Sequence, residues 1–190
     1  METFHCKKKC CKLHVMPYFH KKDPFEKVRR KRRKAGVVIY DPKEDRVLLV
    51  QSRGHLWGPP KGTLNYRETE RECAVREVKE EVGLEISMND FTGATKIKNK
   101  AQYFYVEMDT GDVTVQKHIL ENDANGVGWI KTKCLEQCII DGMISLNQHC
   151  RIVLKRFLDR EFPHSSFITV LPKRQRRLCS PSSNQKQNYN

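Results

Sequence analysis

The segment from Gly62 to Leu84, GTLNYRETERECAVREVKEEVGL, restricts the fold of this chain more than any other part of it. Apolar residues recur at helical spacing through residues 70–82, and such a stripe packs on a sheet or on another helix. Gly83 follows, and glycine readily takes the left-handed conformation that ends a helix. We therefore predict an amphipathic helix over residues 70–82. Its apolar residues are Ala74, Val75, Val78 and Val82.

Carboxylates crowd another stripe of the same helix. Glu77 and Glu81 are one turn apart and Glu80 lies beside them, so their negative charges repel one another unless a cation compensates them. Gly62 opens a tight loop that would bring Glu68 back toward this cluster. The alternative is the solvated face of an ordinary Glu- and Lys-rich helix. The pattern favours a metal site, and an all-oxygen ligand set suits Mg²⁺ or Mn²⁺.

The spacing resembles the signature of the Nudix hydrolases: Gly62, five residues, Glu68, seven residues, then REVKEEVGL. The resemblance implies an α/β (α+β) fold, an αβα sandwich with a mixed β-sheet, and hydrolysis of a phosphoanhydride in a nucleoside diphosphate linked to another group. It also implies a divalent metal, Mg²⁺ or Mn²⁺. The metal ligands would be Glu68, Glu77, Glu80 and Glu81, with catalysis by Glu77, Glu80 and an additional carboxylate further along the chain.

The loop before the helix, LWGPPKG over residues 56–62, indicates which Nudix enzymes this chain most resembles. It is similar to the approach found in mRNA decapping enzymes and in diadenosine polyphosphate and diphosphoinositol hydrolases. Lys61 would contact a phosphate oxygen beside the metals, and Arg76 would pair with a carboxylate or brace the loop. Trp57 either stacks on a base or packs the loop, and packing is favoured.

Two further features resemble the decapping enzymes. These enzymes place an additional carboxylate before a tryptophan-bearing strand, and Glu121 and Asp123 precede Trp129 here, with Glu121 slightly favoured for its longer reach. A predicted helix over residues 145–162 carries Arg151, Lys155, Arg156 and Arg160. That helix either binds the RNA body or closes the domain with a solvated basic face.

The basic residues lie mainly outside the predicted domain. Residues 1–34 hold 13 Lys or Arg against 3 Asp or Glu, and residues 165–190 hold 5 against none. We therefore divide the chain into a basic Cys- and His-containing leader (1–34), a hydrolase domain (35–164) and a basic, disordered tail (165–190). Cationic arms indicate a large polyanionic partner such as RNA, although solubility or nuclear import would also explain them.

Alternation and turn residues predict the remaining elements. The expected strands are residues 35–41 and 46–51, joined by a polar turn, then 91–98, 101–108 and 126–131, and the expected helices are 132–141 and 145–162. The strands by themselves indicate only a mixed α/β domain.

The cysteines suggest a reducing compartment. The chain has neither a membrane-spanning apolar run nor an apolar signal core, so we expect an intracellular protein, cytoplasmic by preference and nuclear as the alternative. Cys73, Cys134, Cys138 and Cys150 lie among apolar neighbours as small core residues would. In the leader, the thiols and imidazoles either hold zinc or belong to a flexible segment, and the flexible segment is favoured. Those leader residues are His5, Cys6, Cys10, Cys11, His14 and His20.

These observations predict a Nudix enzyme that hydrolyses the cap of RNA and releases 7-methyl-GDP. The alternatives are a diadenosine polyphosphate or diphosphoinositol polyphosphate hydrolase, and a non-catalytic RNA-binding Nudix module. A short basic leader in place of a helical regulatory domain would suit an enzyme of a large DNA virus. The sequence carries no indication of the oligomeric state.

Overall fold

The computed structural model describes residues 2–18, 32–52, 54–116 and 123–161. Ten strands and three helices are assigned in these ranges, with a 3₁₀ turn at Met88–Asp90. The strands are β1 (Glu2–His5), β2 (Lys12–Val15), β3 (Lys34–Asp41), β4 (Arg46–Ser52), β5 (Leu56–Gly58), β6 (Lys61–Thr63), β7 (Gly93–Ile97), β8 (Ala101–Glu107), β9 (Ala124–Lys131) and β10 (Ser145–Leu146). The helices are α1 (Glu70–Val82), α2 (Thr132–Ile140) and α3 (Gln148–Glu161).

The sheet is mixed. Its main path runs β1-β2-β9-β4-β3-β8-β7, and β3 and β8 are parallel, whereas the other neighbours on this path are antiparallel. Three short strands pair off this path beside its inner strands: β5 pairs with β4 and with β10, and β6 pairs with the beginning of β3. The short strands bring the loop around Lys61 against the start of β3, where Gly36 is opposite Lys61.

Two apolar cores lie on opposite faces of the sheet, because successive strand residues point to opposite sides. In β3, Val37 and Ile39 pack with Ala74 and Val78 of α1. Val38 and Tyr40 pack on the other side with residues of α2 and α3, including Leu135 and Phe157. In β8, Phe104 joins the first core and Tyr103 the second. The domain is therefore an αβα sandwich, as the resemblance implied.

Most of the predicted elements are confirmed. Helix α1 has the predicted bounds, and the predicted hairpin forms β3 and β4. The other predicted strands and α2 differ from prediction by one or two residues at an end. The last helix begins later than predicted. Asn147 starts it by accepting the N–H of Cys150 on its side-chain oxygen at 2.9 Å, while Ser145 and Leu146 form β10 beside β5. Phe162 lies outside the described residues.

The first segment of the leader is folded, which the flexible interpretation of the sequence did not predict. Strands β1 and β2 form an antiparallel hairpin, and β2 pairs with β9 from Lys12 opposite Trp129 to Val15 opposite Gly126. Gly128 permits this close pairing, since a Cβ there would overlap Lys12 O and the side chain of Leu13. The hairpin therefore extends the sheet of the hydrolase domain by two strands. The tail, 165–190, lies outside the described residues.

Among the described helices, none is both long enough and apolar enough to span a bilayer.

Candidate active site

Helix α1 is capped at both ends by its own sequence. Thr69 accepts the N–H of Glu72, and the Glu72 carboxylate accepts the N–H of Thr69 in return, which is a capping box. At the other end Gly83 has φ 75° and donates its N–H to Lys79 O. Glu77, Glu80 and Glu81 consequently lie on a helix whose start and end are locally determined.

The guanidinium of Arg76 donates hydrogen bonds to three carboxylates, those of Glu68, Glu77 and Glu80. It donates to Glu68 through Nε at 2.6 Å and through a terminal nitrogen at 2.9 Å, which is a bidentate contact. Its other terminal nitrogen donates to Glu77 at 2.9 Å and to Glu80 at 2.7 Å. It also reaches Thr63 O at 3.2 Å. Arg76 therefore both pairs with carboxylates and braces the loop, which were the two roles considered for it.

Glu81 connects the helix to the preceding loop. Its side chain is buried, and Oε2 accepts the backbone N–H of Lys61 at 2.9 Å. Burial raises the pKa of Glu81 well above its ordinary value, and the negative charges of Glu77 and Asp123 raise it further. The positive charge of Lys61 lowers this pKa but does not cancel the increase. Burial alone would lower the pKa of Lys61, but Cys150, Glu81 and the other acidic neighbours hold it above its ordinary value. Lys61 is therefore a charged ammonium beside the carboxylates.

Gly62 leaves space for Glu77. A Cβ at this position would overlap the Glu77 carboxylate, so the close approach of loop and helix requires glycine. Gly58 has a similar role earlier in the loop, where a Cβ would overlap Cys150 Sγ in α3. The loop between these glycines thus lies between α1 on one side and α3 on the other.

The structure brings one of the two candidate downstream acids to the site. Burial raises the pKa of Glu77 to about 7, and the negative charges of Glu80 and Asp123 also raise it. The positive charge of Arg76 acts in the other direction but does not prevail. Asp123 also raises the pKa of Glu81, so it lies within electrostatic reach of both carboxylates. Glu121, which the sequence slightly favoured, lies outside the described residues. Its catalytic role therefore stays a prediction.

This donor set fits a divalent cation. Arg76 contacts Glu68, Glu77 and Glu80, and Glu81 and Asp123 lie within electrostatic reach of this set. Glu77 and Glu81 have raised pKa values because burial and mutual repulsion disfavour their charged forms. Arg76 compensates part of that charge, and a hard cation sharing Glu77 and Glu80 with it would compensate the rest. All the ligands are oxygens, the donors that Mg²⁺ and Mn²⁺ prefer. The carboxylates are Glu68, Glu77, Glu80, Glu81 and Asp123.

A group of cations adjoins the carboxylates, and sequence reasoning missed most of it. Burial lowers the pKa of His149, and Lys100, Lys34 and Lys61 act in the same direction, so these three ammonium groups lie within electrostatic reach of the imidazole. Lys34 also donates to Thr63 in the catalytic loop at 3.2 Å. Only Lys61 was predicted here, because the others come from β3 and the turn before β8. We call Lys34, Lys61 and Lys100 the cationic group; the lowered pKa of His149 favours a neutral imidazole beside them.

Two other predictions concern side chains near the site. Trp57 is buried on the α3 side of the sheet, which supports packing rather than base stacking. The basic residues of α3 make internal contacts: Arg156 donates to Thr95 and to Lys96 O, and Arg160 lies over the Tyr105 ring. Arg151 donates to Leu146 O. These contacts favour the interpretation of α3 as a helix that closes the domain.

A helix that bears clustered carboxylates, a glycine-containing loop and adjoining cations on a mixed sheet indicate a hydrolase of phosphate anhydrides. The NUDIX domain model matches residues 30–137. The chain belongs to the Nudix family and is a Nudix pyrophosphohydrolase.

Relatives and solved structures agree with this family. The chain is 32% identical over 137 residues to the provisionally named hydrolase 111R of Invertebrate iridescent virus 3, covering 70% of this chain and 80% of that protein. It is 43% identical over 56 residues to the m7GpppN-mRNA hydrolase dcap-2 of Caenorhabditis elegans, covering 28% of this chain but 7% of that protein. The fold is similar to that of the E. coli dihydroneopterin triphosphate pyrophosphohydrolase, with a TM-score of 0.51 at 18% identity, covering 67% of this chain and 95% of that one.

Proposed function

We propose that this enzyme hydrolyses the triphosphate bridge of capped RNA and releases 7-methyl-GDP and RNA with a 5′-monophosphate. The observation that carries the proposal is the attachment of the basic leader beside the carboxylates. Capped RNA is a long polyanion, whereas a small nucleotide needs cations only at its own phosphates. Viral origin and a cytoplasmic site of action, with the nucleus as the alternative, belong to the same proposal, and the viral relative supports the first.

Described residues on both sides of residues 19–31 contact the edge where the active site lies. Before that stretch, Met16 donates its N–H to Asn125 O at 2.7 Å, two residues beyond Asp123. After it, Arg33 O accepts the N–H of Leu64 at 3.1 Å, and the Arg33 side chain pairs with Glu70 at the start of α1. By sequence, residues 19–31 contain six Lys or Arg and two Asp or Glu. The described residues on either side of this basic stretch therefore contact segments that carry or adjoin the site carboxylates.

Each group of site residues would have a different role in hydrolysis. Mg²⁺ or Mn²⁺ at Glu68, Glu77, Glu80 and Glu81 would polarise the phosphoanhydride and lower the pKa of the attacking water. Lys61 and the rest of the cationic group would bind the phosphate oxygens and offset their charge. Arg76 would keep Glu68 and the loop in position. Glu77 and Glu80 would act at the reacting centre, with Glu121 or Asp123 as the additional carboxylate that accepts a proton.

The test is to incubate cap-labelled RNA with the protein and Mg²⁺ or Mn²⁺ and to identify the released nucleotide. Wild type should release 7-methyl-GDP, and Glu80→Gln should not. The same proteins should be given diadenosine tetraphosphate and a diphosphoinositol polyphosphate. If either is cleaved while capped RNA is not, the decapping proposal is wrong and the small-molecule alternative replaces it.

Salt dependence separates the long substrate from the small ones. Cleavage of capped RNA at subsaturating concentration should fall steeply as salt rises, because each phosphate contact to a single strand contributes about −0.7 to the slope of log affinity against log salt. Replacing Lys21, Lys22, Arg29 and Arg30 together by Gln should flatten that slope. The matched control removes the same charge from the tail by changing Lys173, Arg174, Arg176 and Arg177 to Gln. Equal slopes in wild type and the leader variant would contradict RNA binding by the leader.

A binding module without catalysis is the remaining alternative. It is disfavoured because the site keeps every carboxylate of the motif together with the Arg76 contacts that hold them. Turnover of any of the three substrates by wild type, absent in Glu80→Gln, would exclude it. Binding of capped RNA without turnover in either metal would establish it instead.

A further inference from the structure

Four thiols converge where the leader hairpin meets the hydrolase domain. Cys6, Cys10 and Cys11 lie in and beside the turn between β1 and β2, and Cys134 lies in the first turn of α2. Their four sulfur atoms are all within 4.8 Å of one another. Three of the separations are 3.6 Å for Cys6 and Cys10, 3.8 Å for Cys10 and Cys11, and 3.5 Å for Cys10 and Cys134.

These separations match the edges of a zinc tetrathiolate. Zinc–sulfur bonds of about 2.3 Å place the sulfurs of a regular tetrahedron about 3.8 Å apart. A disulfide would require about 2.05 Å, and the structure has free thiols at all four positions. The largest separation allowed by the cluster, 4.8 Å, exceeds the tetrahedral edge by about 1 Å, which side-chain rotation can close.

Burial raises the pKa of Cys11 and of Cys134, but three features near the cluster would stabilise thiolates bound to a cation. The backbone N–H of Lys131 donates to Cys11 Sγ at 3.3 Å, and such donors stabilise zinc-bound sulfur. Cys134 is the third residue of α2, where unpaired helix N–H groups favour negative charge. Three exposed lysines, Lys7 to Lys9, form the turn that carries the cluster. They would offset the net negative charge of a tetrathiolate site.

We propose that Cys6, Cys10, Cys11 and Cys134 bind one structural zinc ion that fastens the leader hairpin to the hydrolase domain. Four protein ligands leave no open position for a substrate or water, so the ion has a structural role. The ligand set differs from the one considered from the sequence, since His14 is paired with Thr3 on the hairpin and the fourth ligand comes from α2, some 120 residues away in sequence. The site does not depend on the identity of the substrate.

The alternative is that the four cysteines are small core residues, which reduced thiols often are. Cys138 provides the internal comparison. It lies one turn after Cys134 on α2, is equally buried, and belongs to the same apolar core, yet its sulfur is outside the four-atom group. Apolar packing accounts for Cys138. It does not account for four sulfurs that lie within 4.8 Å of one another and come from two segments of the chain.

The test uses the untagged full chain, purified without chelator from cells supplied with zinc. Elemental analysis should find about one zinc per chain in wild type and in Cys138→Ala, and less than about one tenth in Cys134→Ala and Cys10→Ala. Removing zinc while Mg²⁺ is kept constant should lower Tm by about 10 °C. It should also accelerate hydrogen exchange at the β2 amides paired with β9.

A readout on wild type alone covers the case in which the variants do not fold. Co²⁺ added to the zinc-depleted protein should give the sulfur-to-cobalt charge-transfer and strong visible bands of tetrahedral thiolate coordination, and zinc should abolish them. Absence of zinc and of these bands overturns the proposal, as does equal zinc loss in Cys138→Ala. Titration of six rather than eight free thiols in the unfolded wild type would also overturn it by indicating a disulfide.

Discussion

The backbone N–H of Lys61 donates to the buried carboxylate of Glu81 at 2.9 Å. This bond joins the loop that carries the proposed phosphate-binding ammonium to the helix that carries the proposed metal ligands. The two residues are 20 positions apart, and Gly62 between them makes the approach possible. Loop and helix therefore act as one unit, and the first three predictions concern this unit.

Glu80→Gln should abolish most of the activity and leave the fold intact. The amide oxygen can still accept from Arg76, which now contacts Glu80 at 2.7 Å, but the negative charge for the metal is lost. We expect kcat to fall about 100-fold or more with Tm within about 2 °C of wild type. Glu85→Gln is the matched control, because Glu85 is exposed and pairs with Lys79 on the surface. A similar loss in both variants would argue against a metal role for Glu80.

Gly62→Ala should impair catalysis through Glu77. The new methyl group would overlap the Glu77 carboxylate, so either the loop or the metal ligand must move. We expect about a 100-fold loss of kcat/KM and a higher metal concentration for half-maximal activity. Gly111→Ala serves as the control, since a Cβ there meets no atom within 4 Å. If Gly62→Ala kept wild-type kinetics, the close approach of loop and helix would not matter for activity.

Arg76→Lys should be damaging although the charge is kept. Lysine cannot reproduce the bidentate contact to Glu68 together with the bonds to Glu77, Glu80 and Thr63 O. We expect activity to fall about 10- to 100-fold. The comparison is Arg71→Lys on the same helix, where the exposed guanidinium covers the Phe91 ring. Kinetic assays of the two variants under identical metal conditions decide the matter, and equal activities would remove Arg76 from the positioning role.

Asp41 should make stability depend on pH in the acid range. It is buried, and it accepts N–H groups of Lys43 at 2.8 Å, Glu44 at 3.1 Å and Thr110 at 2.6 Å. Burial acts to raise its pKa, but these hydrogen bonds prevail and lower it to about 2, from an ordinary value of 3.8. Because the folded pKa is depressed, the stabilisation is present above pH 3.8 and is lost as pH falls toward 2. It amounts to about 2 kcal/mol.

Asp41→Asn should remove this pH dependence. Urea unfolding at several pH values between about 2 and 5 would measure it. Asp109→Asn is the control, because Asp109 is exposed and pairs with Lys43 on the surface. An unchanged slope in Asp41→Asn would show that another group titrates in this range.

The sequence predicted the features of the site that depend on local order. Helical spacing predicted α1, Gly83 predicted its end, and the same spacing placed Glu77, Glu80 and Glu81 together; the Thr69 cap was found in the structure. The cationic group escaped prediction because the pairing of β3 with β8 and with β6 brings Lys34 and Lys100 toward the loop that carries Lys61. The periodicity of one segment carries no information about which distant segments pair with it in the folded protein.

The leader also combines features that the sequence predicts with features that only the folded structure shows. Its composition indicated a flexible basic segment, since charge and isolated thiols are visible in sequence but a partner strand is not. The pairing of β2 with β9, and the meeting of Cys134 with three leader thiols, emerged only in the folded chain. Local sequence was sufficient for the family, the catalytic helix and its carboxylates, because these rest on contacts between residues a few positions apart. The surroundings of that helix required the three-dimensional arrangement, because they depend on strand pairing between distant segments.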